Sequence, residues 1–470
     1  GGGGNQKKAI SIPPMDMSTL HRTPIWNLVV NGVTYMAAPM AMPSIMAQAN
    51  WYWGTAALLY SSIVTYHTGL LIGDICLANP HIDSYPKLVE EGMHKLVAVI
   101  DPEKAAKGGA RKWTRIAFWA TLWVQFMTYY LDTVAQIIYV EQYFGELLPG
   151  SPICQWKWLL ITWVISIPVM QIPTLHSSRY VCLFALGCVL ATTFSIFAEV
   201  YVVQPWNCLP GPSYPKTSPM RLFTGFAGMA YAFGGHGIFP EEIREMKEPE
   251  KWPIVMNWTY GIIVPMYLAC SFVGYYAYGG YAQANLNLNF PDNWINTFSL
   301  LVQLPSCLYL IYFTNLVLVL QIELALGVDP THTTCARPFR FGMPPVLFRF
   351  FFRSLFVGSQ VLFAEILLSG AGDTVLGVQA LAGAVGMVAF TYFLPFILHA
   401  IFFWEDMRTR RLVYYAINAA LAIVFMFGGI YSTSVALIQE AGGFMDGECH
   451  LTYKYAPYSP EDPCFISGIS

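Results

Sequence analysis

The number and length of its apolar runs constrain this chain most. A hydrocarbon layer about 30 Å thick takes about 20 apolar residues of helix to cross. The sequence holds eleven such runs: 24–48, 51–77, 114–140, 157–173, 178–203, 221–247, 254–278, 294–324, 346–369, 377–403 and 411–438. Only 11% of the residues are charged and 55% are hydrophobic, where soluble domains carry roughly 25% charged residues. The implied fold class is an all-α polytopic membrane protein with eleven transmembrane helices in one domain over 24–438. The segment 1–23 reads as a cytosolic N-terminal stretch and 439–470 as a tail on the opposite side. Spans 1 and 2 join almost without a loop at Asn50.

Lys and Arg give the orientation. With the N-terminus in the cytosol, 21 of the 25 basic residues fall inside, and only Lys157, Lys216, Arg221 and Lys454 fall outside. Eleven spans then put the C-terminus outside. The longest inner loop, 78–113, reads either as an amphipathic surface helix or as a solvated loop. Cys154, Cys208, Cys449 and Cys464 fall outside, where disulfides form. Cys154–Cys208 and Cys449–Cys464 are the expected pairs, against four free thiols. The sequon Asn257-Trp258-Thr259 falls inside, where it stays unused. No cleavable leader is visible before Ile25, and a start at Gly1 rather than Met fits a fragment.

Two spans do not read as continuous helices. Phe233-Gly234-Gly235-His236-Gly237-Ile238-Phe239-Pro240-Glu241-Glu242 packs three glycines and a proline into span 6. In a helix interior Gly costs about 1 kcal/mol and Pro about 3 kcal/mol relative to Ala. Asn31-Gly32-Val33-Thr34-Tyr35-Met36-Ala37-Ala38-Pro39 breaks span 1 in the same way. In hydrocarbon the freed backbone groups need partners. Matched interruptions point to the substrate site of a secondary transporter.

The span 6 residues carry a resemblance. Tyr231 to Glu241, then Glu245-Met246-Lys247-Glu248-Pro249 and Trp252-Pro253, resemble the amino acid/auxin permease family. Phe233-Gly234-Gly235-His236 is most similar to its auxin carriers, and the residues after it to its amino acid branches. Pro39 with Ala41 and Trp51, Tyr66 to Asp74, Gln171 to Leu175 with Arg179-Tyr180, Tyr267 to Gly279, and Gly383-Ala384 with Leu394-Pro395 resemble it in order. The resemblance implies a LeuT-like inverted repeat, with repeat one at 24–203, repeat two at 221–403 and an extra helix at 411–438. It departs where Gly32 stands alone before Pro39 and where Thr314-Asn315 occupies span 8.

Helix ends at a break present free N–H groups and a partial positive charge. A substrate carboxylate is expected against Asn31, Gly32, Val33, Thr34 and Tyr35. An ammonium or ring N–H is expected against the carbonyls of Ala232, Phe233, Gly234, Gly235 and His236. A structural kink is the plainer reading. His236 is a candidate hydrogen-bond donor or proton relay, or a histidine bonded only to backbone. Gln125, Thr128, Tyr129, Asp132, Thr133 and Gln136 share one face of span 3, which must look inward. Tyr129 is a substrate-site candidate, and Asp132 is a candidate for proton or ion coupling. Glu241 follows as either a buried coupling carboxylate or a surface partner of Arg244 or Lys247. Thr314 and Asn315 offer oxygens to a cation, with polar packing as the plainer reading. Glu199, Glu323 and Glu365 near span ends read as wetted.

Taken together, the sequence implies a monomeric secondary transporter for an amino acid or related carboxylate. Protons are the expected coupling ion, with Na+ as the alternative. The plasma membrane is expected ahead of a vacuolar one. An auxin-like aromatic carboxylate is the second substrate reading, and an amino acid sensor a third. The sequence shows no Ser/His/Asp, CxxC or HExxH arrangement, so neither an enzyme, a cofactor nor a metal site is expected. No basic block indicates a nucleic-acid partner.

Overall fold

The computed structural model describes residues 23–103, 110–148, 151–172, 179–207, 211–326, 328, 344–368 and 374–440. All regular structure there is helical. The helices are α1 (Ile25–Met36), α2 (Met42–Ala78), α3 (Tyr85–Ile100), α4 (Ala110–Leu147), α5 (Gln155–Met170), α6 (Arg179–Val203) and α7 (Pro219–Ala232). They continue as α8 (Phe239–Glu245), α9 (Trp252–Tyr278), α10 (Trp294–Ala325), α11 (Pro345–Leu368), α12 (Thr374–Phe402) and α13 (Thr409–Glu440). Seven helices among the described residues are long and apolar enough to cross a membrane by length and composition. The chain is a multi-pass integral membrane protein.

Local chemistry sets the helix ends. Asn50 adopts φ 62°, so α2 bends there. Its side-chain oxygen then accepts from Tyr52 N at 3.0 Å and caps the second half. This is the loopless junction expected at Asn50; Asn tolerates positive φ better than most residues. Pro39 lies in the interruption between α1 and α2, and Pro43 opens α2. α12 contains two π-helical turns, Gly383–Met387 and Ala389–Phe393. A Cβ on Gly383 would lie 2.1 Å from Ala227 O, so glycine there lets α12 meet the backbone of α7.

The helices pack around α2, α4, α9 and α10. α10 lies against α4 and α6, α9 against α2 and α1, and α7 against α2, α12 and α13. The segment expected as a long loop at 78–113 holds a helix over Tyr85–Ile100 rather than only solvated coil. In α3 Tyr85, Leu88, Val89 and Gly92 are buried, and the helix packs on α4.

Two expectations about charge are corrected. Glu323 and Glu199 are buried, not wetted. Glu323 forms a two-point ion pair with Arg353, Nε to Oε1 and Nη2 to Oε2 both at 2.8 Å. Arg353 also donates to the carbonyls of Met170 at 2.8 Å and Ile172 at 3.0 Å. Proximity to a span end was the sequence signal, but α5 and α11 enclose this end of α10. Glu199 accepts from Asn293 Nδ2 at 2.6 Å. Cys154 is held in a disulfide, while Cys208, Cys449 and Cys464 lie outside the described residues.

Candidate functional site

The helical breaks are where the functional side chains gather. α1 runs unbroken through Asn31, Gly32, Val33, Thr34 and Tyr35 and ends at Met36. The first interruption is therefore 37–41, several residues beyond the sequence expectation. Gly32 alone does not break the helix. It gives α9 close approach, since a Cβ there would meet Thr259 Oγ1 at 3.0 Å. The second interruption lies where expected: α7 ends at Ala232, a 3-10 turn spans His236–Ile238, and α8 begins at Phe239.

One side chain joins both breaks. Tyr267 of α9 is fully buried. Its hydroxyl lies against Met36 O and 2.9 Å from Ala232 O, and it accepts from Ala38 N at 3.1 Å. Its single O–H serves one of the two carbonyls at a time. Gln125 Nε2 donates to Gly237 O at 2.9 Å, taking a further freed carbonyl. The sequence reading assigned Tyr267 no role. The available signal was a tyrosine in an apolar span, because a buried tyrosine hydroxyl needs a partner.

Between the breaks lies a small, largely enclosed cavity of about 30 Å³, room for a very few water molecules. Tyr35, Tyr129, Asp132, Ala232, Gly234, Gly235 and Thr314 line it among the expected residues. Gln136, Tyr231, Phe313 and Met387 complete much of its wall. A second space of about 60 Å³ adjoins it through Ala37, Ala38, Gln136 and Leu310, and reaches Ala41, Tyr139, Tyr143 and Gln303.

Asp132 is the one carboxyl among the cavity-lining residues. Tyr231 Oη donates to its Oδ1 at 2.6 Å, and Gln136 Nε2 donates to Tyr231 Oη at 3.1 Å. Tyr129 presents a buried hydroxyl with no hydrogen-bond partner. Tyr35 stacks on Phe313 at 4.9 Å and 10°, and its hydroxyl donates to Glu242 Oε2 at 3.3 Å.

Other expected residues stand apart from the cavity. Asn31 Oδ1 accepts from Tyr309 Oη at 2.7 Å and from Cys182 Sγ at 3.0 Å. Thr34 donates to Val30 O at 2.7 Å, and Val33 is buried. Phe233 packs edge-on to Tyr267, with ring centroids 5.1 Å apart. His236 faces α2: its Nε2 lies 2.8 Å from Thr65 O and 3.2 Å from Thr68 Oγ1. Thr314, by contrast, is in the cavity wall, with its Oγ1 2.7 Å from Thr133 Oγ1. Asn315 and Gln360 exchange amide bonds of 3.0 and 2.7 Å. Both oxygens of Glu241 are buried without a hydrogen-bond partner.

The family described as transmembrane amino acid transporter protein matches residues 21–439. The chain belongs to this family. It is 24% identical over 293 residues to amino acid transporter AVT1E of Arabidopsis thaliana, covering 57% of this chain and 48% of that protein. It is 22% identical over 295 residues to AVT1B of the same organism, covering 60% and 49%. The chain spans about half the length of the curated relatives it matches. Among solved structures, a Na+-coupled sialic acid symporter in a substrate-bound outward-open state aligns with 88% of this chain and 90% of its own, at 13% identity and TM-score 0.42. A mutant manganese transporter of Eremococcus coleocola aligns with 88% and 94%, at 12% identity and TM-score 0.39. At those scores the likenesses decide nothing further about this chain.

Proposed function

We propose that this chain is a secondary active transporter that moves an amino acid, coupled to protons, by alternating access. The reading takes eleven spans as a LeuT-like five-plus-five inverted repeat with one extra helix, the N-terminus cytosolic and the site between spans 1 and 6. The observation that carries it is the pair of interruptions at 37–41 and 233–238, joined by the Tyr267 hydroxyl beside a cavity containing Asp132.

The substrate carboxylate belongs at the start of α2 rather than against Asn31 to Tyr35. Ala41 caps α2 without a side-chain bond and Pro43 has no N–H, so the first-turn N–H groups of Met42 and Ser44 stand at the positive end of the helix dipole. The ammonium takes carbonyls of the second break, and Asp132 takes the coupled proton. The oxygens that a Na+ ion would need are spent on hydrogen bonds. Asn31 Oδ1 accepts two donors, Asn315 pairs with Gln360, and Thr314 bonds Thr133. This supports protons over Na+.

Uptake of a labelled amino acid panel into proteoliposomes tests the substrate class. At least one neutral amino acid is expected to accumulate and to be competed by its unlabelled form. Competition only by aromatic carboxylates lacking an amine would assign the auxin-like reading instead. Uptake of neither class would overturn the transporter reading. Placement in the plasma membrane follows as the expected location, checked by microscopy of the tagged chain.

A further inference from the structure

Below the cavity, the structure holds a second carboxyl group that the proposed mechanism does not use. Glu242 is 3% exposed, and its Oε1 has no hydrogen-bond partner. Its other oxygen accepts only from Tyr35 Oη, at 3.3 Å. Among the described residues no cation pairs with it: the nearby Arg244 reaches Asp83, Nη1 to Oδ2 at 3.8 Å. An ionised carboxylate buried in this way, with no paired cation, is strongly disfavoured.

Tyr35 connects this group to the cavity. Its ring lines the cavity and is wedged between Phe313 and Gly235, where a Cβ would lie 2.6 Å from Tyr35 Cε2. The floor beneath is tied by backbone. Thr23 N donates to Glu245 O at 3.2 Å and Lys247 N to Thr23 O at 3.1 Å, joining the start of α1 to the end of α8. The Tyr35–Glu242 bond is a second tie between α1 and α8, so a displacement of α8 away from Tyr35 breaks it.

We propose that Glu242 is a proton-binding site that latches the inner floor of the cavity. Protonated, it stays dry, bonded to Tyr35, with the floor shut. Deprotonated, it draws water, Tyr35 swings away, and α8 opens toward the cytosol. The proton passes between the Glu242 carboxyl and inner-side water; no other covalent bond changes, and the Tyr35–Glu242 hydrogen bond is exchanged for water. The groups around it are few in kind. α4 contributes Tyr129, whose buried hydroxyl is unpartnered. α6 contributes Cys182. α8 itself adds Glu241 and Glu245, and Asp83, Tyr85 and Arg244 stand on the far side of Glu241. Carboxyls outnumber cations in this set, so no paired cation holds Glu242 charged while the floor is closed.

This inference rests on the proton-coupled reading for its use in transport, but its test does not need transport. Hydrogen exchange of residues 239–245 is measured on the full chain in nanodiscs, as protection corrected for intrinsic rates, at about pH 5 and about pH 8. Linkage predicts a fall in protection of about tenfold or more in the wild type as pH rises. Glu242→Gln, which cannot ionise, is expected to hold protection within about twofold across that range. Tyr35→Phe loses the latch bond and is expected to lower protection at both pH values, while keeping the pH dependence. A flat wild-type profile, or an unchanged pH response in Glu242→Gln, would overturn the proposal even if the protein transports. A pH response that Glu242→Gln abolishes would support it even if no substrate is found.

Discussion

Tyr267 shows how one hydroxyl shapes the candidate site. Both interruptions free backbone groups in an apolar interior, and the Tyr267 hydroxyl contacts groups on each side: Met36 O, Ala38 N and Ala232 O. Tyr267→Phe keeps the ring and removes those bonds. Each unsatisfied buried group costs on the order of 1–3 kcal/mol. A lower unfolding midpoint in detergent is therefore expected, with a loss of uptake beyond what the lost stability explains. A midpoint within error of wild type would show that the breaks are held by other means. At this scale the sequence was legible where spacing carried the signal. Tyr129, Asp132 and Gln136 fall on one helical face, and all three line the cavity. It was not legible where partners come from distant spans. His236 turns to Thr65 and Thr68 of α2, Glu323 finds Arg353, and Tyr267 bonds two breaks far from it in sequence.

Glycine and proline set the limits of the helices, but packing decides which of them act. Gly32 leaves α1 intact because Thr259 fills the space beside it. The break waits for the stretch that contains Pro39. In span 6 Gly234 and Gly235 lie in the interruption itself, where side chains would meet Met387 Sδ at 2.5 Å and Tyr35 Cε2 at 2.6 Å. The same logic covers α12. Gly383→Ala places a Cβ against the rigid Ala227 carbonyl, so destabilisation of about 1–3 kcal/mol is expected from overpacking. Gly377→Ala meets only the Leu437 side chain and is expected to cost less. Thermal unfolding of the two variants gives the comparison, and equal midpoints would contradict the packing account. The π-helical turns of α12 left no mark on the apolar pattern. They depend on contacts such as Tyr85 Oη to Phe390 O at 2.9 Å, which hydropathy cannot see.

For the whole molecule, the spacing of apolar runs anticipated most long helices to within a few residues, because crossing hydrocarbon leaves a chain little choice. The exceptions are α4, which runs on to Leu147, and the first two runs, whose helices separate at 37–41 and only bend at Asn50. The arrangement of those helices around a closed cavity came only with the structure. The central claim is that the cavity between the two breaks carries substrate with a proton bound at Asp132. The most direct measurement is uptake into proteoliposomes under an imposed inward proton gradient, with and without an ionophore, for wild type and Asp132→Asn. The wild type is predicted to accumulate substrate above equilibrium and to lose that accumulation when the gradient is collapsed. Asp132→Asn is predicted to retain substrate exchange and lose gradient-driven accumulation. Accumulation that ignores the proton gradient, or that survives unchanged in Asp132→Asn, would contradict it.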